Sequence, residues 1–441
     1  MIRGLDETHR ADLRSWVASA ERADTDFPIQ NLPLGCVRAP GGAVEPVVAI
    51  GDAVLHLLAA RDLLRPDGEL ASALEACRSV GALNPLLALG HGAMRRLRAA
   101  TSALLRDDTR EGAHARARAS TLLSPMTEVG LLLPVHVGDY TDFYASIDHA
   151  TNVGRMFRPD NPLLPNYKWV PIGYHGRASS IVPSGTTIQR PAGQTRDDPN
   201  AAPAVGPSRR LDYELEVGAV VGRGNALGAP IPIGSAESHV AGLCLVNDWS
   251  ARDIQTWEYQ PLGPFLAKSF ATTMSPWLVT LEALSPFRTA PAARAPGDPS
   301  PLGYLADDED ATAGSWELEL EVWIVTQRMR ASGLPAFRVS RARFDRMYWT
   351  FAQMVAHHTS NGCNLRPGDL LASGTVSGPG AESRGSLLER TWRGTEPLAL
   401  PTGETRRFLE DGDEVVMRGV CERAGFRRIG FGECRGIVSA G

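Results

Sequence analysis

Leu211-Asp212-Tyr213-Glu214-Leu215-Glu216-Val217 is the stretch on which the fold turns. Apolar side chains alternate with acids at period two and run on through Gly218-Ala219-Val220-Val221, predicting a strand over 211–222 with Glu214 and Glu216 on one face. Same-face Cα atoms on a strand lie roughly 6.5–7 Å apart. Two carboxylates that close repel unless solvent or a cation separates them, and a hard cation that takes several oxygens suits them. Strand acids also simply face water, and Trp316-Glu317-Leu318-Glu319-Leu320-Glu321-Val322 shows the same alternation. The pair needs company before it reads as a site.

Outward from it, strand text stands at 241–246, 316–326, 370–373, 413–420 and 427–438, and helical text at 142–157, 250–259 and 344–358. Pro46 to Leu58 reads as two short strands turned at Gly51-Asp52. Residues 68–118 are rich in Ala, Leu and Arg at helical spacing, with seven Arg and three acids between Arg95 and Arg118. Such a basic helix either contacts anionic partners or presents a solvated face while covering the β unit, the plainer reading. Residues 285–313, Pro/Ala/Asp-rich and aperiodic, predict a surface loop. With 44 glycines and 32 prolines punctuating short segments, the chain reads as mainly β (α+β). Its expected parts are an N-terminal extension over 1–22, a small domain with a helical segment over 23–125, and a large domain over 126–441.

Composition narrows the function classes. Lys+Arg 45 against Asp+Glu 50 leaves a net charge of −5, which offers no electrostatic footprint for nucleic acid or a membrane surface. No apolar run approaches the roughly 18 residues of a membrane span. The six cysteines form no C-x-x-C pair, and the charged first ten residues do not read as a signal peptide. A soluble cytoplasmic protein is the expectation.

Three clusters keep Glu214 and Glu216 company. In Val246-Asn247-Asp248-Trp249-Ser250-Ala251-Arg252-Asp253-Ile254-Gln255 a strand ends and a helix begins, so Asp248 sits at the strand's carboxyl end. Ser250 and Asp253 fit a capping pair there, and Arg252, Gln255 and Tyr259 share a helical face, either solvated or functional. In Asp139-Tyr140-Thr141-Asp142-Phe143-Tyr144-Ala145-Ser146-Ile147-Asp148-His149, a helix starting near Asp142 would put Asp142 and His149 on one side two turns apart. An acid that binds a cation and an imidazole that deprotonates nearby water would fit, as would a helix cap and a satisfied histidine. Gly368 to Gly378 gives a turn, a short strand and a hydroxyl-rich loop, with Glu389 beyond it. His357-His358 lacks zincin spacing and reads as structural.

The clusters lie within longer strings that resemble the fumarylacetoacetate hydrolase family: Asp26 to Pro33, Gly138 to Tyr144, His149 to Gly154, Gly173 to Ile181, Asn247 to Gln255 and Asn361 to Thr375. The likeness runs from about residue 22 to the C-terminus and is weakest over 60–125 and 285–315. It departs at Ala271, where the family usually has glycine, and at Pro183, which interrupts a regular strand. The resemblance implies a small N-terminal SH3-like β-barrel domain followed by a larger C-terminal β-roll domain, assembled as a homodimer. It implies hydrolysis of a carbon–carbon bond in a small diketo acid, giving fumarate and acetoacetate in the last step of tyrosine and phenylalanine breakdown. By the same resemblance Asp142, Glu214, Glu216 and Asp248 would hold Ca²⁺, and Asp248, Lys268 and Thr272 would take part in a Mg²⁺ site. His149 would be the general base oriented by Glu389, and Arg252, Gln255 and Lys268 would join the cation in stabilising the tetrahedral intermediate and the enolate leaving group. Tyr144, Arg158, Tyr174, Gln255, Tyr259 and Thr375 would contact substrate. An acylpyruvate hydrolase or oxaloacetate decarboxylase and a noncatalytic metal-binding protein of the same fold are the rival readings.

Overall fold

The alternating stretch lies at the centre of the largest sheet. In the computed structural model, which describes residues 4–39, 41–198 and 200–441, Leu215–Val221 pairs antiparallel with both Val240–Asp248 and Leu370–Ala372. Among the described residues this sheet has eight strands. Its order is Gly173–Gly176, Tyr140–Phe143, Leu370–Ala372, Leu215–Val221, Val240–Asp248, Thr272–Met274 and Ile181–Pro183, and Val279–Thr280 also pairs with Val240–Asp248. Pro183 ends the outer strand, where a missing N–H costs no ladder bond. The strand expected over 211–222 is interrupted at Tyr213-Glu214, and Leu211–Asp212 pairs instead with Ser250–Ala251.

The two faces of this sheet bury different things. Leu215, Val217, Ala219 and Val221, with Leu243 and Leu245, enter a core shared with a second sheet, ordered Phe337–Arg343, Leu318–Val325, Glu414–Cys421, Ile429–Ser439 and Thr187–Gln189. On the opposite face Val220, Cys244, Val246 and Leu370 pack with Leu34, Leu55, Leu86 and Leu97 of the small domain. By strand alternation Glu216 and Asp248 belong to this second face. One end of that face is therefore covered by the small domain, and the other carries the acids.

The small domain has an antiparallel five-stranded sheet ordered Leu123–Pro125, Ala53–His56, Val44–Ile50, Leu34–Arg38 and Gly130–Leu131. The turn at Gly51-Asp52 joins two of its strands as expected; Gly51 has φ +59, and a Cβ there would meet Ser19 Oγ at 2.2 Å. Helices Gly68–Val80, His91–Leu105 and Arg110–Ala117 accompany the sheet. Their face is not wholly solvated. Arg98 is buried and donates to the carbonyls of Asn31 and Gln30 and to Thr8 Oγ1, tying the helix to the chain entering the sheet. Leu13, Val17 and Ala20 join the same apolar cluster, while residues 1–3 of the expected extension lie outside the described residues. A small strand-built domain followed by a larger mixed-sheet domain is the α+β architecture the sequence predicts. None of the helices among the described residues is long and apolar enough to cross a membrane.

Three local expectations are corrected. The helix expected from Asp142 begins at Ile147, because Tyr140–Phe143 is strand-forming text and Ser146 Oγ caps the helix by accepting from His149 N at 3.2 Å. Ser250 and Asp253 do not cap Arg252–Glu258. Asp253 instead accepts from Ser208 Oγ and Arg209 N. The surface loop expected over 285–313 holds for 290–302, which are irregular and not buried, but its flanks are anchored: Phe287, Leu305 and Asp310 are buried, Gln353 donates to the Leu305 carbonyl and Thr350 Oγ1 to Asp310, so the segment is fastened to helix Phe351–Thr359.

Candidate active site

The acids converge where strands Tyr140–Phe143, Leu215–Val221 and Val240–Asp248 reach the open end of the second face. Asp142, Glu214, Glu216 and Asp248 are all buried, and each offers a carboxylate oxygen within 4.8 Å of the others. Asp142 arrives from a strand rather than a helix, in register with Ala372 and Tyr174. The cluster is unequally compensated. Lys268 Nζ contacts Glu214 Oε2 and lies 2.7 Å from Asp248 Oδ2, and Arg252 Nη1 lies 2.8 Å from Glu214 Oε1. Burial pushes Glu214 up, but Lys268, Arg252 and His149 outweigh it and hold the carboxyl well below the usual range. Burial lowers Lys268, yet Asp248 and Glu214 more than restore its charge. Asp248 also accepts from Tyr174 OH at 2.7 Å and Thr272 Oγ1 at 2.9 Å.

Asp142 and Glu216 touch no cation, and the charge of Lys268 only partly offsets what raises them. Asp142 Oδ1 and both Glu216 oxygens are buried without a hydrogen-bond partner. Burial, followed by the neighbouring acids Asp248 and Asp142 respectively, raises both carboxyls well above their ordinary values. Orphaned buried carboxylate oxygens in an all-oxygen set fit a hard divalent cation.

His149 stands beside this cluster in the first turn of Ile147–Phe157. Its Nδ1 lies 2.6 Å from Glu389 Oε2, and its Nε2 lies 4.0 Å from Glu214 Oε1. A carboxylate only accepts, so in the neutral imidazole the proton sits on Nδ1 and the Nε2 lone pair faces the acids. Glu389 itself is saturated by donors: Asn152 Nδ2 to Oε1, and Ser377 Oγ and Ser386 Oγ to Oε2, each at 2.9 Å. Burial would raise its pKa, but His149 and these hydroxyl and amide donors lower it, keeping an ionised acceptor. Tyr144 packs edge-on against the imidazole with centroids 5.3 Å apart.

A cavity of about 420 Å³ opens onto these groups. Asp142, Tyr144, His149, Arg158, Tyr174, Glu214, Glu216, Arg252, Gln255, Tyr259, Lys268 and Thr375 line it, while Asp248, Thr272 and Glu389 stand behind the lining. Every residue expected at the site is thus brought to one place. Arg252 is buried rather than solvated, and its Nη2 and Thr375 Oγ1 have no protein partner. Phe157, Leu164, Leu262 and Phe408 make the outer wall apolar, and Arg210 and Arg393 add cations. His357 and His358 stay outside, bonded to Tyr304 OH and Thr141 Oγ1. The sequence reading missed Asp212, Asn152, Ser377 and Ser386. Ser386-Leu387-Leu388-Glu389 is itself an S-x-x-E capping signal that could have drawn attention to Ser386.

Residues 139–439 match the family model described as Fumarylacetoacetate (FAA) hydrolase C-terminal, and residues 30–134 match Fumarylacetoacetase N-terminal. The fumarylacetoacetase of Oryza sativa subsp. japonica is 46% identical, covering 98% of this chain and 98% of the relative. That of Caenorhabditis elegans is 49% identical over 94% of this chain and 97% of the relative. A solved fumarylacetoacetate hydrolase from Exiguobacterium antarcticum, 15% identical, superposes with a TM-score of 0.50 over 93% of this chain and 100% of that one, a likeness of fold.

Proposed function

The chain belongs to the fumarylacetoacetate hydrolase family, and we propose that its cavity carries out the reaction for which its relatives are named. It is a hydrolase that cleaves fumarylacetoacetate, and in this reading the products are fumarate and acetoacetate. The observation that carries this reading is His149, backed by Glu389 and with Nε2 4.0 Å from the Glu214 carboxylate of the four-acid cluster, facing one cavity.

Asp142, Glu214, Glu216 and Asp248 would hold a divalent cation, Ca²⁺ or Mg²⁺, which when bound supplies Lewis-acid polarisation of the diketone oxygens. Lys268 and Thr272, both in contact with Asp248, fit the edge of such a site. His149 takes a proton from water at Nε2, and the oxygen adds to the carbonyl carbon next to the fumaryl double bond. Arg252, Lys268 and Gln255 donate to the oxygens that gain charge. The carbon–carbon bond then breaks, its electron pair leaves with acetoacetate as an enolate, and the His149 imidazolium returns the proton to that carbon. Glu389 touches no reacting atom in this scheme; it steadies the imidazolium through Nδ1. Tyr144, Arg158, Tyr174, Tyr259 and Thr375 orient the substrate, with Arg158 suited to a carboxylate.

Assembly as a homodimer belongs to this reading. The exposed Leu262, Phe265 and Leu266, beside the cavity mouth, supply apolar surface for a second copy, and sedimentation of the purified chain at twice the monomer mass is the expected result. Six unpaired cysteines support a reducing, cytoplasmic setting. Turnover of fumarylacetoacetate, lost on chelation and restored by a divalent cation, tests the whole.

A further inference from the structure

Asp212 is fully buried and collects four donors from three parts of the chain. Its Oδ2 accepts from Arg252 Nε and from the backbone N–H of Leu388, both at 2.9 Å. Its Oδ1 accepts from the N–H groups of Leu387 at 2.8 Å and Tyr213 at 2.9 Å. Leu387 and Leu388 open the short turn that presents Glu389, and Arg252 opens the helix that presents Gln255. One carboxylate therefore bonds the guanidinium and the Glu389 turn at the same time.

The consequence for Arg252 is geometric. Nε is held by Asp212, and Nη1 lies against Glu214 and Gln255, so two edges of the planar fork are spoken for. Nη2 alone remains without a protein partner, on a residue that lines the cavity. We propose that Asp212 is a positioning residue: it fixes the plane of Arg252 so that Nη2 reaches the oxygen that gains charge, and keeps that donor in register with the turn carrying Glu389. This rests on the assignment of Arg252 and Glu389 made above. The amide nitrogen of an asparagine cannot accept, so Asp212→Asn gives up either the bonds from Arg252 and Leu388 or those from Leu387 and Tyr213, and in both cases the tie between the arginine and the turn is weakened.

Misplacement of a catalytic donor by about 1 Å costs on the order of 10²-fold in rate, so Asp212→Asn is expected to lower kcat by that order with KM little changed. The deciding measurement is a cycle of kcat values for D212N, R252Q and the double variant, with melting temperatures alongside. If Asp212 works through Arg252, D212N adds less than about threefold to the loss already caused by R252Q. Losses that multiply, or a D212N enzyme within about threefold of the parent while R252Q is impaired, overturn the inference. An R252Q enzyme with full turnover removes the assignment of Arg252 itself, a different failure, and the inference falls with it. Should D212N not fold, Arg252→Lys keeps the charge and loses the bond to Asp212. A folded R252K enzyme is expected to show the same order of loss in kcat, and one that retains kcat overturns the inference.

Discussion

At His149 the roles of the two ring nitrogens are divided by what surrounds them: Nδ1 is committed to Glu389, and Nε2 is left toward the acids. His149→Ala is expected to lower kcat by about 10²–10⁴-fold, the usual worth of general acid–base catalysis, in a steady-state assay, with the fold retained. The acids carry a pH signature of their own. Asp142 and Glu216 have raised carboxyl pKa values, so from about pH 4 upward the folded, cation-free protein binds more protons than the unfolded chain. Its stability therefore falls as pH rises toward those raised values. A bound cation displaces the protons and removes the fall, so melting temperatures in chelator should decline with pH while those with Ca²⁺ hold, and affinity should rise with pH. Parallel curves would contradict the site. Glu214 and Glu216 were legible because a period-two pattern declares which residues share a face. Asp212 and Asn152 were not, since their importance comes from contacts 40 and 237 residues away.

Helix Ile147–Phe157 shows how an element can be right in kind and wrong in onset. Strand-forming Tyr140–Phe143 claims the acid, and Ser146 starts the helix, so Asp142 and His149 meet through a strand-to-helix corner rather than along one helical face. Ser146→Ala should cost about 1 kcal/mol in denaturant unfolding, the worth of an N-cap, and lower kcat because His149 lies in the first turn it anchors. A second corner is guarded by Gly374, with φ +74 and only 2.0 Å between a would-be Cβ and the Phe143 carbonyl. Gly374→Ala is expected to destabilise the protein by about 1–3 kcal/mol and to displace the adjacent Thr375, which a raised KM would report. The strands at 241–246 and 370–373 were found within two residues because their ends coincide with turn and polar residues. The 285–313 segment misled because its anchors, Leu305 and Asp310, are partnered by a distant helix and leave no local period.

Across the whole molecule, one sheet does two jobs with one face. The strip nearest the small domain is apolar and holds the two domains together through Val220, Val246 and Leu370, and the strip beyond it carries Asp142, Glu216 and Asp248. That division follows from strand alternation, but which end is covered depends on where the small domain docks, and periodicity alone does not reveal docking. The motif strings did carry the α+β class and the grouping of the site, because they span both domains. The most direct measurement is hydrolysis of fumarylacetoacetate by the purified protein before and after chelation, with Ca²⁺ and Mg²⁺ restored separately and residual metal determined. Turnover should disappear with the metal and return with a divalent cation; full turnover by metal-free protein, or none under any condition, would rule this mechanism out.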